Sequence, residues 1–130
     1  MRKMGAGHVG SGFSIPIDVA VDSNGDVFVS DRGDNAVKEI VAVNGQVSSS
    51  STVETVASGF NGPIGVAVDS SGDVFVADNG NSAVKEIVAV NGQVSSTSTV
   101  QTVGGGFLVP VDVTREERQK PAKEQQKRIL

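Results

Sequence analysis

The sequence contains no cysteine, no tryptophan and no tyrosine, and a single histidine, His8. Without cysteine there is no disulfide, no thiolate nucleophile and no thiolate metal site, and the redox compartment cannot be read from the chain. No apolar run approaches the roughly 20 residues that a membrane span needs. The start, Met1-Arg2-Lys3 followed by Met4-Gly5-Ala6-Gly7-His8, has positive charge but no apolar core, so it does not read as a secretory signal. His8 stands in a glycine-rich segment with little pattern and is assigned no catalytic role.

Five aromatic residues occur, all phenylalanine. Phe13, Phe60 and Phe107 occupy one recurring position, and Phe28 and Phe75 another. They are expected to pack one unit against the next. Charge is uneven: residues 1–114 carry 5 Lys/Arg against 12 Asp/Glu, for a net −7, and residues 115–130 carry 6 against 3, for +3. An acidic body repels phosphate backbones, which argues against a nucleic-acid partner.

What the sequence does have is a repeat. A 47-residue unit spans 12–58 and recurs without gaps over 59–105, the two differing at 12 positions. A third copy opens as GFLVPVDVT at 106–114 and stops. Residues 1–11 form an N-terminal segment whose Gly10-Ser11-Gly12-Phe13 resembles Ala57-Ser58-Gly59-Phe60, as though it ended a preceding unit. Residues 115–130 are a polar tail expected to be disordered, apart from a capping-box spacing between Thr114 and Glu117.

Each unit reads as four short strands. In Ile17–Asp22, Ile17, Val19 and Val21 alternate onto one face, and Pro16 precedes them where a missing N–H costs no ladder bond. Ser23-Asn24-Gly25-Asp26 is a tight turn into Val27–Ser30, and Asp31–Asn35 is a second turn. Residues 36–43 give a third strand with apolar groups on both faces, as in a sheet sandwiched between neighbours. Asn44-Gly45 is a hairpin signal. The Ser/Thr runs 48–52 and 95–99 read as flexible loop insertions, and Val53–Val56 as an edge strand. Lys38-Glu39 and Lys85-Glu86 read as solvated or cross-strand charge pairs worth a fraction of a kcal/mol.

Four strands per unit, a period of this length and Gly/Asp turns point to β-propeller blades. More narrowly, Pro63-Ile64-Gly65-Val66-Ala67-Val68-Asp69 followed by Gly72-Asp73-Val74-Phe75-Val76-Ala77-Asp78-Asn79-Gly80-Asn81 resembles the NHL-repeat signature. The first unit is similar, with Asp18 for the Gly, Ser30 for the Ala and Arg32-Gly33-Asp34-Asn35 in the turn. The resemblance implies an all-β fold of two four-stranded antiparallel blades and a partial third. It also implies that the recurring aspartates serve turns and packing.

Family members usually close a ring of about six blades. Two and a fraction imply either ring completion by a homo-oligomer, such as a trimer, or a fragment of a longer chain. Full-length relatives imply an extracytoplasmic setting.

For chemistry, Asp22, Asn24 and Asp26 offer oxygen ligands at short spacing and are weak calcium candidates, because Ser71 replaces Asn24 in the second copy. No catalytic or cofactor-binding residue is assigned and no cofactor is expected. The repeats hold no histidine and only one arginine, Arg32, although some propellers of this family are lyases or related enzymes. The sequence therefore reads as a non-catalytic binding scaffold for a protein or other ligand. The alternatives are a structural repeat of a bacterial surface or envelope protein and, more weakly, a fragment of a propeller lyase or hydrolase.

Overall fold

The computed structural model describes residues 9–105. Earlier and later residues, and with them His8, the start of the third repeat at 106–114 and the tail at 115–130, lie outside the described residues. The chain forms two four-stranded antiparallel sheets in simple meander order. Strands β1 (Pro16–Val21), β2 (Val27–Asp31), β3 (Ala36–Ile40) and β4 (Val53–Ser58) make the first. Strands β5 (Pro63–Val68), β6 (Val74–Asp78), β7 (Ala83–Ile87) and β8 (Val100–Gly105) make the second. The only helical elements among the described residues are single 3-10 turns at Arg32–Asp34 and Asn79–Asn81. No helix among them is long and apolar enough to cross a membrane.

The turns follow from their residues. Gly25 sits at φ 87°, and an added Cβ there would collide with the carbonyl oxygen of Gly45, so two turns at one end of the sheet touch backbone to backbone. Asn44 and Gly45 both have positive φ, 54° and 80°, and close a bridge between Val43 and Gln46. This is the type I′ geometry that Asn-Gly favours.

The third strand is shorter than the 36–43 expected from pattern. The Val41 N–H still follows the ladder to the carbonyl of Thr52, but the strand goes no further because the Ala42 N–H donates to Asp26 Oδ1, 2.8 Å away. A carboxylate has taken over the ladder. The serine run, in turn, is no loose insertion: Ser48 N–H donates to Ser51 Oγ at 2.8 Å and Ser51 N–H to the Ser48 carbonyl at 3.1 Å.

Packing between the sheets buries what alternation placed on facing sides. Phe28, Val37 and Val56 of the first sheet and Phe60 of the connection meet Val66, Val74, Val76 and Ile87 of the second sheet and Val94 of its β7–β8 connection. β5 lies against β1 and β2. A smaller cluster, Phe75, Ala77 and Val84, occupies the equivalent face of the second sheet. Apolar groups on both sheet faces are thus used, as the sandwiched-sheet pattern requires.

Burial separates two substitutions of similar chemistry. Phe28→Ala should destabilise the chain by about 3–5 kcal/mol, because Phe28 is only 1% exposed between the sheets. Val19→Ala should fall within about 0.5 kcal/mol, because Val19 is 58% exposed. Urea unfolding of both variants checks the contrast.

Candidate functional site

The most heavily bonded side chains are the aspartates that end the second strand of each sheet. Asp31 is fully buried. It accepts the N–H groups of Ser14 (3.0 Å to Oδ2) and Ile15 (2.8 Å to Oδ1), and Lys38 Nζ lies 2.8 Å from its Oδ2. Burial alone would push its carboxyl up. The Lys38 ammonium and the two N–H donors outweigh that and hold it below the usual aspartate range. Lys38 is in turn held above the usual lysine range by Asp31 and Asp34, against the opposing effect of its own burial.

Lys38 also donates to the Gly12 carbonyl at 2.8 Å and stands over the Phe13 ring, 5.6 Å from its centroid. In the second unit Asp78 accepts the Asn61 N–H at 2.7 Å, meets Lys85 at 2.9 Å and takes the Asn81 amide at 2.7 Å. Each aspartate therefore ties the segment leading into the first strand of its sheet to the third strand of the same sheet.

These lysines form cross-strand charge pairs, one half of the expectation, but not solvated ones: Lys38 is buried and Lys85 partly buried, and their partners are aspartates. Adjacent residues on a strand point to opposite faces. Lys38 goes to the buried aspartate, and Glu39 goes to the other side, among acids. Glu39 lies in register with Glu54 on β4. Its carboxyl is pushed up to about 8, first by burial, then by the charge of Asp26 and a hydrogen bond to it, with smaller contributions from Glu54 and Asp22. Near neutral pH it is mostly protonated. In the second unit Gln101 replaces Glu54 and donates from Nε2 to Glu86 Oε1 at 3.0 Å.

The calcium candidates do meet in one turn. Asp22 Oδ1 accepts the N–H groups of Asn24 at 2.9 Å and Asp26 at 3.0 Å, and Asp26 Oδ1 accepts the Ala42 N–H. Burial raises the Asp22 carboxyl in spite of the Asp26 and Asn24 N–H bonds. Those oxygens already satisfy the chain's own donors. Among the described residues, no group of three or more His, Cys, Asp or Glu is arranged to hold a metal ion.

Sequence reasoning missed the Asp31–Lys38 tie. Its signal was present in the hairpin count: Asp31 pairs with Ala36, which makes Lys38 the diagonal neighbour on the same face. Asp78 and Lys85 repeat the arrangement.

One end of the blades is built from long connections. Twelve residues join β3 to β4, and twelve join β7 to β8. In the second unit this connection frames a groove of about 400 Å³ lined by Val88, Val90, Gln93, Ser95, Thr97 and Thr99. Its rim is held by Ser95 N–H on Ser98 Oγ at 2.9 Å and by the Ser95 and Thr97 hydroxyls 3.0 Å apart. Valine side chains and hydroxyls offer contact area and neutral hydrogen bonds. They offer no reactive group.

The NHL repeat family matches residues 13–40 and 60–87, one stretch in each unit. In structure the chain is similar to a luciferin-regenerating enzyme (TM-score 0.57, 18% identity), covering 79% of this chain and 34% of that one. It is also similar to the hydrazine synthase of Kuenenia stuttgartiensis (TM-score 0.56, 13% identity), covering 87% of this chain and 29% of that one. Such likeness shows a β-propeller fold, and the chain spans about a third of the length of these structures. No curated protein matches the chain in sequence.

Two outcomes follow. Lys38→Ala should cost about 3–5 kcal/mol by leaving Asp31 buried without its cation, whereas the double variant Asp31→Asn/Lys38→Met should recover part of that loss in urea unfolding. The second outcome concerns pH. Glu39 has a raised folded-state pKa, so its contribution is fully present below about pH 4.5 and is lost as pH rises through about 8. Unfolding free energy measured from pH 5 to 9 should therefore fall with pH. Glu39→Gln should flatten that slope, and Glu54→Gln should reduce it.

Proposed function

We propose that this chain, whose two units are NHL repeats of a β-propeller, is a non-catalytic binding scaffold that takes its ligand at the long-loop end of the blades. The single observation that carries the reading is the groove framed by Val88–Thr99. Its size falls within the range of roughly 300–1,000 Å³ usual for ligand sites. Binding groups commonly sit on loops held by a rigid frame, and here the frame is the pair of sheets tied by Asp31 and Asp78.

The groove's chemistry favours a neutral polar ligand, a segment of a partner protein or a comparable molecule, with apolar contact on Val88 and Val90. The acidic body, at net −7 over residues 1–114, disfavours polyanions. The best-bonded carboxylates are engaged by backbone N–H groups and lysines, which supports a structural rather than a reactive role for them. The luciferin-regenerating enzyme is an enzyme on a similar fold; likeness of fold alone does not transfer its activity.

Screening the full chain on peptide and glycan arrays tests the reading. Val90→Asp should weaken a retained ligand at least about tenfold with no change in melting temperature, since Val90 is exposed at the groove, and Thr97→Lys should weaken it as much while also removing a rim hydroxyl bond. Binding that survives both substitutions would remove the groove from the proposal. Conversion of the retained ligand to a product would remove the non-catalytic role.

A further inference from the structure

The chain contains five Asn-Gly dipeptides, beginning at Asn24, Asn44, Asn61, Asn79 and Asn91. Such a pair can react with itself. The glycine nitrogen is within reach of the asparagine Cγ, and glycine has no Cβ to obstruct the approach. The reaction needs a glycine N–H that is not committed to an acceptor and a turn with room to move. Exposure alone does not separate the five, since Asn24 and Asn61 are exposed as Asn44 and Asn91 are.

The hydrogen bonds do separate them. Gly25 N–H donates to the Asp22 carbonyl at 3.1 Å, Gly80 N–H to the Asn61 carbonyl at 2.7 Å, and Gly62 N–H to Asn35 Oδ1 at 2.9 Å. Asn61 is held further by its own N–H on Asp78 and by its side chain, whose Cγ lies against Gly80. Gly45 and Gly92 differ. Among the described residues neither N–H meets an acceptor, and a Cβ built on either glycine would touch nothing. Asn44 and Asn91, at φ 54° and 55°, stand in type I′ turns. Those turns are closed by the bonds between Val43 and Gln46 and between Val90 and Gln93, which leave the two middle residues free. The remaining asparagines, Asn35 and Asn81, precede Ala36 and Ser82 and have their side-chain amides bonded.

We propose that Asn44 and Asn91 are sites of self-modification, converting with time to aspartate and isoaspartate while the fold keeps the other three pairs from reacting. In the second unit the Gly92 nitrogen forms a bond to Asn91 Cγ and the Cγ–Nδ2 bond breaks. Ammonia leaves with the proton that the Gly92 nitrogen gives up, and a succinimide ring remains. The ring then takes up water. Opening at the side-chain carbonyl gives aspartate; opening at the main-chain carbonyl gives isoaspartate, which carries the backbone through the former side chain. Water is the only co-reactant, and nothing is oxidised or reduced. Gly45 and Asn44 follow the same course in the first unit.

The consequence falls on the long-loop end of the blades. A new carboxylate at Asn91 stands between Val90 and Gln93, both of which line the groove, and adds negative charge to an acidic body. Isoaspartate also lengthens a turn whose glycine carbonyl lies against a second turn, Gly45 on Gly25 and Gly92 on Gly72. The modification depends on the turns alone and is independent of what the groove binds.

Peptide mapping of the full chain, after incubation at neutral pH in heavy-oxygen water and digestion in ordinary water, tests this. Label should enter at Asn44 and Asn91 at least about tenfold faster than at Asn24, Asn61 and Asn79, because those three pairs must first release a hydrogen bond. The same chain unfolded in guanidinium chloride should lose the selection, with all five sites reacting at similar rates. Equal rates at the five sites in the folded chain would overturn the proposal. So would Asn44 and Asn91 that stay intact over the time in which the unfolded chain reacts. Labelled aspartate with no isoaspartate beside it would mean direct hydrolysis of the side chain, and would overturn the cyclisation.

Discussion

A carboxylate buried at the end of a strand can persist only if several donors reach it at once, and that demand organises each blade. Asp31 collects two backbone N–H groups and an ammonium; Asp78 collects one backbone N–H, a side-chain amide and an ammonium. Buried ion pairs are weak sources of net stability, because desolvation offsets much of the attraction. Their contribution here is geometric. The donors come from the segment before the first strand, from the second turn and from the third strand, so the charge is satisfied only when the meander has closed in one register. The apolar clusters then act on sheets whose order and twist are already restricted.

The opposite side of the same strands carries a conflict that the two copies resolve differently. Glu39 faces Asp26, Asp22 and Glu54, and holds a proton near neutral pH because ionising it would add a charge to a crowded, desolvated corner. Gln101 removes one acid from the corresponding corner of the second unit and supplies a donor instead. Near-identical units thus solve one crowded corner in two ways, by a held proton in the first and by an amide donor in the second.

Local signals made much of the fold legible. Alternation of Ile17, Val19 and Val21 gave the first strand and its apolar face, Asn44-Gly45 gave its turn, and the 47-residue period gave the blade. Features set by the third dimension were harder to read. Lys38 looks like an ordinary surface lysine until the pairing of Asp31 with Ala36 places it beside a buried carboxylate. The early end of β3 at Ile40 was hidden because the competing acceptor, Asp26, is 16 residues from Ala42. The calcium candidates were legible as a cluster of oxygens, and the turn role that the resemblance implies for the aspartates is carried by Asp22, which accepts the Asn24 and Asp26 N–H groups. The groove could not be read at all, since a Ser/Thr run carries no signal that its hydroxyls will bond one another.

The contact of Gly25 with the Gly45 carbonyl has a consequence for how such a chain can change over time. Gly25 cannot gain a side chain without prising the Gly45 carbonyl away, and Gly72 stands the same against Gly92, whereas a Cβ on Gly45 or Gly92 would meet no neighbour. Ser48–Ser51 is under no such restraint, being closed by bonds within itself. New sequence can enter there without disturbing a strand, on the same end as the groove.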